Sequence, residues 1–196
     1  MGIPLCHHKE LAQRSGGNGE ADHWYAYVYP KNLVRFAEPK LIIQVTSKRP
    51  TVKYDETGLY ITGGGSGPFY GIRPKEPKMP FNYLLGILNS ALFGWLVKAQ
   101  STNLRGGYIK FSKQYIGTVP IVPPDNAGPA KAKNLACLVD DALRLKRRLA
   151  HVMAPHDKEM LERQYKVIVD QIDNLVFEIY RIDNSEIKLI KESISE

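Results

Sequence analysis

The stretch FNYLLGILNSALFGWLVKAQSTNLRGGYIKFSKQYIGTVPIVPP, residues 81–124, joins an apolar helix pattern to a polar loop. Asn82 is a candidate N-cap for this helix, which we expect to continue to about Lys98. Polar side chains then lead to Gly106 and Gly107, which allow a sharp turn. The stretch therefore predicts a helix that carries a polar, positively charged loop. Its apolar residues recur mostly at steps of three and four, which marks one buried face: Leu84, Leu85, Leu88, Leu92, Trp95 and Leu96.

Short runs rich in β-branched and aromatic residues predict strands at 24–29, 41–46, 51–54, 59–62, 69–73 and 108–111. The run 41–46 is nearly all apolar, which is typical of a central strand. The runs 51–54 and 59–62 flank the turn-forming residues 55–58, and together they predict a hairpin. The proline-rich segment 119–124 is expected to be extended, because proline fixes φ and has no backbone donor.

The pattern changes to a helical one after about residue 129. Apolar residues at steps of three and four predict two antiparallel helices, one from about 129 and one to about 180, with a break at 151–157. Asp183 and Glu186 form the pattern of a capping box for a short last helix near 187–190. We predict an α+β fold, in which a mixed β-sheet recognition domain with packed helices is followed by a C-terminal antiparallel helical hairpin.

The predicted domain division is a polar lead-in without regular structure at 1–23, a recognition domain at 24–124, and the helical hairpin with its terminal helix at 125–196.

Charge is divided unevenly along the chain. Residues 1–118 contain 15 Lys and Arg against 7 Asp and Glu, whereas residues 119–196 contain 12 against 13. A basic half of this kind indicates either a polyanionic partner such as nucleic acid or a solvated basic surface.

Several observations bear on location. No run approaches the roughly 18 consecutive apolar residues that a membrane span needs. The first residues do not form a secretory signal, since His7, His8, Lys9 and Glu10 stand where its apolar core would lie. Cys6 and Cys137 are too far apart to suggest a disulfide framework. We therefore expect a cytoplasmic protein with no membrane partner.

No pattern on this chain predicts catalysis. The glycine-rich segment 63–67 precedes a strand and lacks the Lys-Ser/Thr pair of a phosphate-binding loop. The histidines near Cys6 have no metal-site spacing, so no metal is expected. Glu38-Pro39-Lys40 is a fragment of a nuclease pattern without its partner acid, and the segment 122–125 lacks the aromatic residue of a methyltransferase motif.

Binding is better supported, because basic residues in predicted loops and strand ends are interleaved with tyrosines. Lysine and arginine neutralise phosphates, and arginine and polar side chains also contact base edges. Arg105, beside Asn103 and Thr102, is the best candidate for contact with bases. The predicted DNA-binding residues are Lys48, Arg49, Lys53, Tyr70, Arg73, Lys75, Lys78, Thr102, Asn103, Arg105, Lys110 and Lys113.

Over residues 24–192 the order of several short motifs resembles the TaqI-like C-terminal specificity domain. This domain is the target-recognition region of adenine-specific DNA methyltransferases and of fused type IIG restriction-modification enzymes. Each motif is short, and their order and spacing carry the resemblance. The motifs are Pro39-Lys40-Leu41-Ile42-Ile43, the turn with Asp55 and Gly58, the helix at 83–90, Gly106-Gly107, the exit at 119–123 and the helix at 172–180.

The resemblance implies binding of double-stranded DNA and choice of its sequence. It also implies that a separate methyltransferase domain or subunit binds S-adenosylmethionine and transfers the methyl group. We therefore expect this chain to bind no cofactor and not to be an enzyme on its own. Two alternatives stay open: half of a type I restriction specificity subunit, and a protein-interaction module with an incidental basic surface.

Overall fold

The computed structural model describes residues 8–13, 33–61, 67–75 and 79–195. In chain order the elements are α1 (His8–Ala12), α2 (Leu33–Ala37), β1 (Lys40–Gln44), β2 (Thr46–Ser47), β3 (Val52–Asp55), β4 (Phe69–Ile72), α3 (Phe81–Asn89), α4 (Ala91–Gln100), β5 (Asn103–Leu104), β6 (Tyr108–Lys110), α5 (Lys113–Ile116), α6 (Pro124–Ala127), α7 (Pro129–His151), α8 (Pro155–Tyr180) and α9 (Asn184–Ser195). The expectation of no regular structure in the lead-in was wrong at α1, whose Lys, Glu, Leu and Ala favour helix. The predicted strand at 24–29 lies outside the described residues.

The first sheet has the antiparallel order β3-β1-β4, so that the predicted central strand is confirmed. Leu41 and Ile43 of β1 are completely buried on one face of this sheet. The predicted hairpin of 51–54 with 59–62 was wrong, because β3 pairs with β1 and residues 57–61 form no strand. The Asp55 side chain instead accepts hydrogen bonds from the backbone of Thr57 and Leu59, which turns the chain away from the sheet.

The second sheet, with the order β2-β6-β5, continues from the first through Val45. The backbone N–H of Val45 donates to Pro68 O at 2.9 Å, and its carbonyl accepts from Phe111 N at 2.6 Å. One extended segment from Lys40 to Ser47 therefore supplies a strand to each sheet. The predicted strands at 69–73 and 108–111 are confirmed as β4 and β6.

The central apolar segment forms two helices, α3 and α4, where we predicted one. Ser90 interrupts it with an extended ψ of 157°. Its Oγ donates to Ile87 O and accepts from Phe93 N, so the same side chain closes α3 and caps α4. The predicted N-cap was also wrong, because Pro80 holds that position and Asn82 donates to Asp140 of α7.

The predicted helical hairpin is confirmed in α7 and α8, which pack against each other along their buried apolar residues. The capping box is confirmed as well: Asp183 N donates to Glu186 Oε2, and Glu186 N donates to Asp183 Oδ1. The last helix, α9, is longer than predicted.

One buried apolar cluster joins the sheets to the hairpin through α3. The close approach of α3 to α7 depends on Gly86, where a Cβ would lie 3.0 Å from side-chain atoms of both Leu135 and Val139. The extended exit predicted at 119–124 is confirmed at 119–123 and was wrong at Pro124, which begins α6. Two tyrosines hold the exit: Tyr83 donates to Val122 O at 2.8 Å, and Tyr180 donates to Pro120 O at 2.9 Å. Burial raises the pKa of Tyr83 to about 12, so its hydroxyl stays a donor. The domain boundary at residue 124 stays a prediction.

Candidate nucleic-acid interface

The solvent-facing side of the second sheet carries a cluster of basic and aromatic side chains. Tyr108 and Lys110 of β6 are exposed, while Ile109 between them is buried. Lys110 is paired with Thr46, and Tyr108 is paired with Leu104, so these side chains share one face. Lys48 is exposed, and its Nζ lies 5.7 Å from the centre of the Tyr108 ring. We call this cluster the sheet face: Thr46, Lys48, Leu104, Tyr108 and Lys110.

Arg105 lies at the tip of the ribbon that β5 and β6 form. The tip is a 3-10 turn, and Gly106 and Gly107 have φ angles of 76° and 75°. Side chains with a Cβ are strained in this left-handed region, which explains the double glycine. Arg105 is exposed and has no ion-pair partner among the residues that the structure describes. Its guanidinium is therefore presented at the end of a short ribbon.

The polar residues between α4 and β5 hold this ribbon in place. Ser101 Oγ accepts from Lys110 N at 3.1 Å and donates to Lys110 O at 2.9 Å. The hydroxyl groups of Thr102 and Tyr115 lie 3.0 Å apart. Thr102, predicted as a DNA contact, is thus exposed beside the sheet face and bonded to α5. Lys113 is exposed at the first position of α5.

The structure brings only part of the predicted set together on the second sheet. Lys48, Thr102, Arg105 and Lys110 belong there, and Asn103 is a residue of β5. The side chains of Lys53, Tyr70, Arg73 and Lys75 belong to the first sheet or follow it. Lys78 lies outside the described residues.

The residues of the first sheet do not share one face. Tyr70 pairs with Ile43 and is half-buried against the core, whereas Lys53 pairs with Ile42 on the opposite, exposed face. Arg73 forms an ion pair with Glu38. Lys75 is exposed. The sheet therefore offers separate basic positions without a single basic surface.

Arg49 is exposed in the turn after β2, where its carbonyl accepts from Ser47 Oγ and Thr51 Oγ1. Its charge acts on Asp173 of α8, which accepts a hydrogen bond from Ala91 N at the start of α4. Burial nevertheless raises the pKa of Asp173 above its usual value. The charge of Arg49 thus lies within electrostatic reach of the helical hairpin.

The sequence did not single out Thr46 or Leu104, and it noted Tyr108 only among several tyrosines. Strand register alone places these three beside Lys48 and Lys110, and register is a property of pairing between distant segments. A signal existed for Tyr108, since it directly follows the double glycine and alternates with Lys110.

The residues of the nuclease-like fragment have structural partners. Lys40 Nζ donates to Asp55 Oδ2 at 2.5 Å and to Phe36 O at 2.7 Å, with both charged side chains buried. Glu38 is paired with Arg73. Across the described ranges, no three His, Cys, Asp or Glu side chains come together as a metal site. In the same residues, no helix combines the length and apolar character that a membrane crossing requires.

The architecture is that of a small α+β domain that presents basic and aromatic side chains on an exposed sheet. A family model, the TaqI-like C-terminal specificity domain, matches residues 7–121, and the chain belongs to this family. The resemblance found in the sequence is thereby confirmed over the matched residues, whereas its last motif, the helix at 172–180, lies beyond the match. Membership of the family implies DNA target recognition in a restriction-modification context. The match includes both sheets and helices α3 to α5, and α7 to α9 lie beyond it. No curated protein matches the chain.

Proposed function

We propose that this chain selects the DNA sequence at which a restriction-modification enzyme methylates adenine. It would hold the duplex so that the target base can be flipped into the active site of a methyltransferase domain or subunit. That catalytic partner, not this chain, would bind S-adenosylmethionine and transfer its methyl group. The proposal is supported most by the sheet face with Arg105 at its end, because this arrangement has the chemistry for both phosphates and bases.

The two-stranded form of the tip supports this assignment, because β5 and β6 pair there at Leu104 and Tyr108, beyond the residues that pair with β2. The major groove of B-DNA is about 12 Å wide and admits a two-stranded ribbon. Arg105 at the tip would reach base edges, where arginine pairs with the O6 and N7 atoms of guanine. Lys48 and Lys110 on the sheet face would neutralise phosphates, and Tyr108 beside Lys48 would contact the sugar-phosphate backbone.

Duplex binding by the wild-type protein should depend steeply on salt. If about four phosphates are neutralised, the affinity should fall roughly 100-fold between about 50 and 200 mM salt, because bound counterions are released. Fluorescence anisotropy with labelled duplexes, selected from a random-sequence pool, measures this slope. Failure to bind any duplex at low salt would contradict the proposal and favour a protein-interaction module.

Arg105→Ala and Lys110→Ala should have different effects on the selected site. Arg105→Ala should reduce discrimination at one base pair by about 1–3 kcal/mol, because a guanidinium contact to a base edge is lost. Lys110→Ala should weaken all sequences alike and reduce the salt slope by about one. Both residues are exposed, so neither change should alter folding. Affinities for a panel of singly substituted duplexes distinguish the two roles, and equal effects would refute this division.

A further inference from the structure

A cleft of about 620 Å³ opens between strand β3, helix α3 and the helical hairpin. Apolar side chains from all these elements line its floor, among them Val52, Leu85, Val139, Leu143 and Ile172. Leu143 and Val169 are half-buried there. The cleft lies apart from the sheet face, whose defining residues do not line it. Its floor therefore offers apolar surface to a ligand.

Cations surround this apolar floor. Lys53 of β3 and Lys146 and Arg147 of α7 are exposed at the cleft. None of these three side chains forms an ion pair with a carboxylate in the described part of the chain. Lys146 Nζ lies 4.2 Å from the centre of the Tyr165 ring, which holds the ammonium beside the cleft. The acidic residues at the cleft are Glu56 and Asp173, and Asp173 is committed to the backbone of Ala91.

The edge of β3 does not provide a place for an added strand at this point. Asn89 Oδ1 accepts from Val52 N at 2.9 Å, and Asn89 Nδ2 donates to Val52 O at 3.0 Å. The side-chain amide of Asn89 thus occupies both backbone groups of Val52 that point away from β1. A ligand in the cleft must therefore be recognised by side chains and not by addition of a β-strand.

We propose that the cleft binds a segment of a partner polypeptide that is both apolar and acidic. Its apolar side chains would cover the floor between α3 and α7, and its Asp or Glu residues would pair with Lys53, Lys146 and Arg147. Charge complementarity with the cations selects an anionic partner, and the apolar floor distinguishes a peptide from DNA. A DNA strand carries a charge at each phosphate and would leave the floor without an apolar partner. This inference does not depend on the proposed DNA contacts.

Selection from a displayed library of short random peptides tests the proposal on the intact chain. Peptides enriched on the wild-type protein should combine Leu, Ile or Phe with Asp and Glu. Their affinity, measured by fluorescence anisotropy, should fall at least about tenfold in the double variant Lys146→Glu with Arg147→Glu. Lys53→Glu, on a different element, should weaken binding in the same direction.

A matched control has the same charge change on the same helix. Lys133 and Arg148 are exposed on α7 and do not line the cleft, so Lys133→Glu with Arg148→Glu should leave peptide affinity within about twofold. Thermal unfolding monitored by circular dichroism should be similar in both double variants. Enrichment of neutral or basic peptides, or equal losses in the two double variants, would overturn the proposal. So would loss of duplex DNA affinity in the Lys146/Arg147 variant alone, which would identify the cleft as a DNA contact.

Discussion

Replacing Asp55 with alanine is expected to lower the free energy of unfolding by about 3 kcal/mol, because it leaves a buried ammonium without its carboxylate. Lys40 is 2% exposed and Asp55 is 8% exposed. After the substitution, Lys40 Nζ would keep Phe36 O as an acceptor but would lose its counter-ion. We take the lower end of the usual range of about 3–5 kcal/mol, because the Phe36 carbonyl still accepts a hydrogen bond from the ammonium. Urea denaturation monitored by circular dichroism measures the change.

The same pair joins two strands of the first sheet to helix α2. Lys40 begins β1, Asp55 ends β3, and Phe36 lies in the last turn of α2. The carboxylate also accepts from Thr57 Oγ1 at 2.7 Å and from the backbone of Leu59 at 2.9 Å. Loss of Asp55 would therefore free the turn as well as the lysine. We expect most of the lost stability to come from the unpaired charge of Lys40. Thr57 and Leu59 are exposed, so water can replace the carboxylate as their hydrogen-bond acceptor.

A double replacement of the pair provides the control. Lys40→Met with Asp55→Leu removes both charges and should recover most of the lost stability, since a buried ion pair and an apolar pair are often nearly equivalent. If the double variant had as low a free energy of unfolding as Asp55→Ala, the destabilisation would come from loss of the turn's hydrogen bonds and not from the unpaired charge of Lys40. Lys40→Met alone leaves the carboxylate with its hydrogen bonds from Thr57 and Leu59 and should cost less than Asp55→Ala.

The pH dependence of stability tests the same pair independently. Burial raises the pKa of Asp55, but hydrogen bonds from Lys40, Thr57 and Leu59 outweigh this effect and lower the pKa from 3.8 to about 2. The stabilisation by the carboxylate is therefore complete above about pH 4 and is lost as the pH falls through about 2. The unfolding free energy of Lys40→Met with Asp55→Leu should lack this contribution between pH 4 and 2.

Much of the fold could be predicted from local patterns. The run at 41–46 predicted a central strand because it is nearly all apolar. The steps in 135–179 predicted the hairpin because each helix buries one narrow stripe. The hairpin predicted around Asp55 failed for a non-local reason. Lys40, 15 residues earlier in the chain, binds the carboxylate, and β3 pairs with β1 in place of the segment that follows it.

The candidate site could be predicted only in part. The turn at the double glycine and the exposed basic residues near it could be predicted, because both depend on residue types that are adjacent in the sequence. The pairing of Thr46 with Lys110 could not be predicted from the sequence, since it depends on the register of segments separated by more than sixty residues. Charge counts along the chain also gave no indication of the cleft, because Lys53 belongs to the basic half of the sequence, whereas Lys146 and Arg147 belong to the other half.

Reversing the two lysines of the sheet face should have the largest effect on DNA binding. Lys48→Glu with Lys110→Glu changes the charge of this face by four units and places two carboxylates where phosphates are expected. We expect duplex affinity to fall by at least roughly 100-fold at about 100 mM salt, and the remaining salt dependence to become weaker. Fluorescence anisotropy with the selected duplex measures both quantities.

Folding should be almost unaffected by this double change, which makes the result interpretable. Both lysines are exposed, and neither forms an ion pair with a carboxylate in the described ranges. The contact of Lys48 with the exposed Tyr108 ring is worth only about 0.5–1 kcal/mol. Lys133→Glu with Lys158→Glu makes the same charge change on exposed positions of α7 and α8. This control lowers the net charge equally, so it measures the general effect of charge on DNA affinity.

The comparison of the two double variants decides whether the sheet face or the overall charge binds DNA. A general electrostatic attraction would weaken equally in both, because it depends on the net charge and not on the position of the two substitutions. A contact surface would lose affinity only when Lys48 and Lys110 are reversed. If the Lys133/Lys158 variant lost as much affinity as the Lys48/Lys110 variant, the sheet face would not be the interface. The proposed role of Arg105, at the end of the same ribbon, would then lose its structural basis.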